Sequence, residues 1–280
     1  MAQYRLSVNV IGRSAGRSAT GAAAYRSGER IIDTRTGLIH DYTRKQGVLH
    51  TEILAPDNAP DWMRERTQLW NAVEAVERRK DAQLTREIQL SLPHELTHDQ
   101  RVELVRQFVQ DQHVSKGMIA DIAIHAPSPH EQADHRNIHA HIMLTMRELT
   151  AEGFGKKARE WNDPDILESW REAWAQHQNK SLQRYGHAER VDHRSLEDQG
   201  ILRAPQKHMG AIATEIERDG RVSHRGEQNR QINIKNGKLV DLEQAGNLID
   251  AKMAFEQRKF EAWAEKKRGQ LDIDQKQRLA

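Results

Sequence analysis

The pair His139-Ala140-His141 is the first feature of this 280-residue chain that could do chemistry. Residues two apart on a β-strand point to one face, with Cα atoms roughly 7 Å apart. Two imidazoles so placed can both reach one ion at nitrogen–metal distances of about 2.0–2.2 Å. His125 falls in matching phase on the polar face of the preceding segment and could supply a third ligand across the sheet. By itself an HxH pair also fits surface or core histidines; His125 in phase is what favours a metal centre. His130 and His135 lie in the connection APSPHEQADHRN, whose Pro and Asp content reads as an exposed loop. A helical zinc-protease motif is excluded. His130-Glu131 is followed by Asp134 where the second histidine is required, and His135 comes one place late. Three histidines without a carboxylate ligand leave an ion its full charge and open positions, which suits an anionic substrate such as a phosphodiester. A divalent ion is the expected occupant, Mn²⁺ or Mg²⁺ with Zn²⁺ also compatible, since three imidazoles favour Mn²⁺ or Zn²⁺ over Mg²⁺ on affinity. Glu87, on the polar face of another strand, is placed to accept an N–H from a liganding histidine or to act as a base. The alternative is an ordinary Glu on a sheet surface.

With no cysteine in the chain, the nucleophile is a hydroxyl or water. Four tyrosines exist. Tyr4 falls on the apolar face of a strand, and Tyr185 ends a helix before Gly186. Tyr25 follows the basic, small-residue stretch Gly12–Ala24, which allows close approach to a backbone or ligand. Flanked by Arg26 and Arg30, its phenolate would be favoured by nearby cations; an amphipathic-helix packing role is the alternative. Residues 1–50 carry eight Lys or Arg against three Asp or Glu. Arg13, Arg17, Arg26 and Arg30 are the candidate DNA-binding cations within that excess, a solvated basic face being the other reading.

These residues need elements to hold them. Strict apolar–polar alternation marks half-buried strands at Tyr4–Val10, Thr85–Leu92, Met118–His125 and Ile138–Met146. Four such strands imply an antiparallel or mixed sheet covered by helices on one face. Helical spacing appears over residues 58–80, over 97–115 behind Thr97 as N-cap, and over 164–185 behind Asp163-Pro164. The class is therefore α/β (α+β). Beyond about Gly186 the texture becomes charged and Gly-punctuated, with one strand-like stretch at Arg230–Ile234 and a helical pattern over 241–268. Only 37% of residues are hydrophobic and 30% are charged. No apolar run approaches the roughly 20 residues of a membrane span, and no secretion signal precedes the first strand. A cytoplasmic protein without membrane insertion is expected.

Four stretches together resemble the MobA/MobL relaxases, of the MobQ class within the HUH endonuclease superfamily. They are GRSAGRSATGAAAYRSGERI near the N-terminus, REIQLSLPHEL at 86–96, AIHAPSP…NIHAHIMLTMREL at 123–149, and VDHRSLEDQGILRAPQKHMG at 191–210. The resemblance covers roughly residues 1–235. It implies a two-layer sandwich with a central five-stranded antiparallel sheet, the active site on the face opposite the helices. Tyr25 is then the single catalytic tyrosine, His125, His139 and His141 the metal ligands, and Glu87 the motif carboxylate. Residues 1–190 would be the catalytic domain, 191–235 a family-like extension and 236–280 a charged helical segment. The implied activity nicks one strand at a plasmid origin of transfer through a 5′-phosphotyrosyl intermediate. Implied partners are single-stranded and hairpin DNA, relaxosome accessory proteins and a type IV secretion coupling protein. A rolling-circle replication initiator of the HUH type and a non-catalytic DNA-binding module are the alternatives.

Overall fold

The alternating segments do pair. The computed structural model describes residues 4–127 and 135–278. Strands β1 (Leu6–Gly12), β4 (Val48–Leu54), β5 (Gln83–Ser91), β6 (Ala120–His125) and β7 (His139–Leu144) form one sheet in the order β1-β5-β7-β6-β4. Every neighbouring pair is antiparallel. β4 is an edge strand. Its sequence VLHTEIL lacks alternation because both of its faces are only half-buried.

One face of the sheet carries Ile88, Leu90, Ala120, Ile122, Ile124, Ala140, Ile142 and Leu144, all essentially buried. Helices α3 (His98–Gln112) and α4 (Pro164–Arg184) cover it. α3 starts where the sequence marks it: Thr97 Oγ1 accepts from the Gln100 amide, and Gln100 Oε1 accepts from the Thr97 amide in return. Asp163 caps α4, with Pro164 in its first turn. Trp170 and Trp174, one turn apart, are buried, Trp174 against Phe108 and Trp170 against His113. Each buries an aromatic surface of about 150–250 Å², which makes this helix layer the main hydrophobic ballast of the sheet.

The opposite face is divided. At one end it is walled by α1 (Ala19–Ser27) and α2 (Arg66–Val76) around Ile31, Leu69, Trp70, Leu84 and Met143. Asp121 anchors α2 there, accepting from the Arg66 guanidinium at 2.9 Å and from Trp70 Nε1 at 2.8 Å. The small residues of α1 let it sit close: Ala19, Ala23 and Ala24 are buried. Gly28, at φ +71°, ends the helix in the left-handed region that Gly adopts at low cost. A small hairpin follows, β2 (Arg30–Ile32) with β3 (Ile39–Asp41), and a second, β8 (Arg147–Thr150) with β9 (Gly153–Lys157), follows β7.

Residues 1–193 and 194–280 form separate compact units. The second contains α5 (Gly210–Arg218) and α6 (His224–Arg278). Arg230–Ile234, which the alternation of isoleucines marks as a strand, lies inside α6. Two Ile residues are too few to specify a period, and the asparagines around them serve another purpose. Asn229 and Asn236 each pair both ways with the main chain, at Lys207 and Ala204 respectively, pinning an extended stretch along the helix. No helix among the described residues is long and apolar enough to cross a membrane.

Candidate active site

β7 is the middle strand of the sheet, and it carries His139 and His141 on the face opposite the α3–α4 core. His125, the last residue of β6, stands directly across from His139 in the register. The three imidazoles therefore converge. One ring nitrogen of each lies within 4.8 Å of the others, the only grouping of this kind among the described residues. Ring centroids are 4.8–5.6 Å apart. His125 is buried, while His139 and His141 are half-buried.

Each ring donates one hydrogen bond that fixes its tautomer. Carbonyls and carboxylates only accept, so the ring nitrogen facing them carries the proton. His125 Nε2 donates to the Arg26 carbonyl at 2.6 Å, His139 Nδ1 to the Asn137 carbonyl at 3.2 Å, and His141 Nδ1 to Glu87 Oε1 at 2.7 Å. That leaves Nδ1 of His125 and Nε2 of His139 and His141 with their lone pairs, the form in which imidazole binds a metal. Burial, aided by the charges around it, pushes the His125 pKa down to about 3 against the Arg26 hydrogen bond. Burial lowers that of His139 as well. Burial thus favours the neutral imidazole at both His125 and His139, and the donor set fits a divalent ion.

Glu87 is buried on the same face, diagonal to His141. Burial by itself would raise its carboxyl, but hydrogen bonds from His141 and Arg26 and the Arg26 charge hold it down at about 2. It is ionised at all working pH values, so it orients His141 better than it could serve as a base. The Arg26 guanidinium lies 2.6 Å from Glu87 Oε1 and also donates to the Ala22 carbonyl. Arg26 is therefore committed to the carboxylate.

Tyr25, one residue earlier on α1, is 47% exposed. Its ring meets Tyr42 edge-on, centroids 5.3 Å apart, and Lys45 Nζ lies 4.7 Å from its centroid. Tyr25, Tyr42, Arg17, Arg26, Glu87 and Gln89 line a polar cleft of about 520 Å³. The other two tyrosines are engaged elsewhere: Tyr4 donates to the Arg171 carbonyl and Tyr185 to Glu103.

The four arginines separate. Arg17 is exposed on the cleft wall. Arg30, on the β2–β3 hairpin, is half-exposed with its guanidinium 3.9 Å from Asp41. Arg13 does not join them. Its guanidinium is turned into the protein, bonded to Glu74 and to the carbonyls of Glu74, Glu77 and Arg79. Its positive charge is spent on a buried carboxylate, so the expectation of a DNA contact is corrected to a structural role. His135 is exposed; His130 lies outside the described residues. Two neighbours of the Tyr25 ring were not singled out by the sequence reading, Tyr42 and Lys45, both in the loop between β3 and β4. Nothing in DYTRKQG marks them, since their relevance arises only when that loop folds over α1.

Comparison with known proteins bears on the family of the chain. Residues 17–219 match the model of the MobA/MobL family. The chain is 42% identical over 247 residues to the mobilization protein MobL of Acidithiobacillus ferridurans, covering 78% of this chain and 64% of that protein. It is 38% identical over 250 residues to a probable conjugal transfer protein TraA of Sinorhizobium fredii, again over 78% of this chain but only 22% of the relative. A solved structure described as "Molecular Basis of Vancomycin Resistance Transfer in Staphylococcus aureus" superposes with a TM-score of 0.63 at 35% identity, over 69% of this chain and all of the other. The chain thus spans about two thirds or less of the two longer relatives. From its family match and from this identity across most of its length, the chain belongs to the MobA/MobL family.

Proposed function

We propose that this chain is the relaxase region of a mobilisation protein, nicking one strand of DNA at an origin of transfer by tyrosine transesterification. The observation that carries the reading is Tyr25 exposed on a polar cleft, one residue from a carbonyl that is hydrogen-bonded to His125. The phenol oxygen of Tyr25 forms a bond to the scissile phosphorus as the bond from phosphorus to the 3′ oxygen breaks. The phenol gives up its proton and the leaving 3′ oxygen gains one. The products are a 5′-phosphotyrosyl protein and a free 3′-hydroxyl. One phosphodiester replaces another, so the energy of the bond is retained and the strand can be rejoined without a nucleotide cofactor.

The chain's own groups have separable tasks. Tyr42 packs edge-on against Tyr25 and restricts its ring, which lowers the cost of orienting the nucleophile. Arg17 offers a charge to the backbone of a bound strand. Arg26 and Glu87 fix the plane and tautomer of His141. His125, His139 and His141 would hold a divalent ion, Mn²⁺, Mg²⁺ or Zn²⁺, which supplies charge withdrawal from a non-bridging phosphate oxygen. The partners that fit this role are single-stranded and hairpin DNA in the cytoplasm of a donor cell, with relaxosome proteins and a secretion coupling protein around it.

A single-stranded library with a randomised segment presents many candidate nick sites at once. Labelled at the 3′ end, it is incubated with the protein and Mn²⁺, and adducts stable to SDS are recovered. Label retained on protein, lost with EDTA and mapped to Tyr25, is the expected result. Absence of any covalent adduct across the library overturns the reading.

A further inference from the structure

Lys45 stands between the tyrosine and the histidines. Its Nζ lies 3.4 Å from Nδ1 of His125 and 4.7 Å from the centre of the Tyr25 ring. Because His125 Nε2 is the protonated nitrogen, Nδ1 is an acceptor, and the lysine ammonium donates to it. That lone pair is the one His125 would give to a metal.

The position is built rather than incidental. The Tyr42 amide donates to the Glu29 carbonyl, and the Lys45 amide donates back to the Tyr42 carbonyl, forming a tight turn over the end of α1. At the other end of the loop the Ala126 amide, next to His125, donates to the Gly47 carbonyl at 2.8 Å. Gly47 has φ +81°, and a Cβ there would sit 2.5 Å from the Ala126 carbonyl oxygen. Only glycine allows this approach, so the loop bearing Lys45 is clamped to the strand bearing His125.

We propose that Lys45 is a displaceable cation of the site, donating to His125 Nδ1 until a divalent ion takes that lone pair and then serving the negative phosphate beside Tyr25. The lone pair cannot serve both partners, and two cations a few ångströms apart repel, so metal entry must move Nζ away. The clamped loop keeps it near the tyrosine. An anion is the group that best accommodates a second positive charge at that point, and a phosphodiester in transit to Tyr25 is such an anion. This assignment rests on the proposed nicking reaction for its second half, while its first half concerns the metal alone.

The experiment compares wild type with Lys45→Met, Lys45→Arg and Arg44→Ala, the last a charge-loss control in the same exposed turn. Calorimetry with Mn²⁺ alone reads the first half. Lys45→Met should bind Mn²⁺ about tenfold more tightly, because a competitor and a nearby like charge are gone; Arg44→Ala should match wild type. Adduct formation at saturating Mn²⁺ reads the second half. Lys45→Met should be slowed about tenfold to a hundredfold, with Lys45→Arg recovering most of the rate. Unchanged or weaker Mn²⁺ binding in Lys45→Met overturns the proposal, as does adduct formation at the wild-type rate under saturation. A wild-type protein that forms no adduct defeats the nicking reading instead, and the Mn²⁺ titration still decides whether Lys45 competes with the ion.

Discussion

His125 and Arg26 are joined across 99 residues of sequence by a hydrogen bond of 2.6 Å, from Nε2 of the imidazole to the main-chain carbonyl. Arg26 directly follows Tyr25, so the end of α1 is fastened to a prospective metal ligand by backbone rather than by a side chain. No substitution at position 26 removes that carbonyl. The spacing between Tyr25 and the three histidines therefore does not depend on the Arg26 side chain, and the effects of single side chains can be read without moving the helix.

Tyr25→Phe keeps the ring that meets Tyr42 and Lys45 and removes only the hydroxyl. Affinity for single-stranded DNA should stay within about twofold, and the covalent adduct should vanish. Adduct of wild-type yield, or one mapped to Tyr42 by mass spectrometry, would transfer the nucleophile to the neighbouring ring.

His139→Ala and His141→Ala should each abolish measurable Mn²⁺ binding by calorimetry, whereas His135→Ala, at an exposed position, should leave it unchanged. Glu87→Gln retains an acceptor for His141 but loses the charge that engages Arg26. Outer partners of this kind are worth about 10- to 100-fold in metal affinity, and a Glu87→Gln protein that binds Mn²⁺ as wild type does would remove Glu87 from the site.

Arg13 and Arg17 should behave oppositely. Arg17→Ala should reduce the log–log salt slope of single-stranded DNA binding by roughly 0.7, the share of one phosphate contact, with unfolding unaffected. Arg13→Ala strands Glu74, whose side chain is fully buried, with Arg35 at 3.4 Å as its remaining cation. Urea unfolding should show a loss of about 3 kcal/mol, the low end for breaking a buried pair, at an unaltered salt slope.

His113 gives the fold a pH dependence. It is fully buried between Phe108 and Trp170, and neither ring nitrogen has a hydrogen-bond partner. Burial pushes its pKa down to about 3. Between that value and the ordinary 6.5, the unfolded chain binds a proton that the folded one refuses, so stability rises with pH in this window. It should be complete above pH 6.5 and fall by up to about 1.4 kcal/mol per pH unit below it. His113→Phe should remove this one-proton share of the slope in urea titrations at pH 7 and pH 5. An unchanged slope would show that the imidazole is not the group responsible.

What could be read before folding was whatever depends on local period. His139 and His141 share a face because they are two apart on a strand, and His125 and Glu87 follow from the same alternation. The caps at Thr97 and Asp163 likewise depend on neighbours within three residues. β4 was invisible because a half-buried edge strand need not alternate. Arg13 was misjudged because charge is visible in sequence while its partner, Glu74, is 61 residues away. Arg230–Ile234 looked extended because two isoleucines happened to alternate within a longer helix. Lys45 belongs to a loop whose position depends on contacts distant in sequence, Tyr42 with Glu29 and Gly47 with Ala126.

The place of β7 in the middle of the sheet has a further consequence. Flanked by β5 and β6 along its length, its amides should be among the slowest to exchange with deuterium, opening only when the whole sheet opens. The two histidines it carries are then part of the rigid body and not of a segment that orders on loading. If the histidines take up a divalent ion as proposed, adding and then chelating Mn²⁺ should leave the exchange pattern of β7 intact, and the same molecules should bind the ion again when it returns.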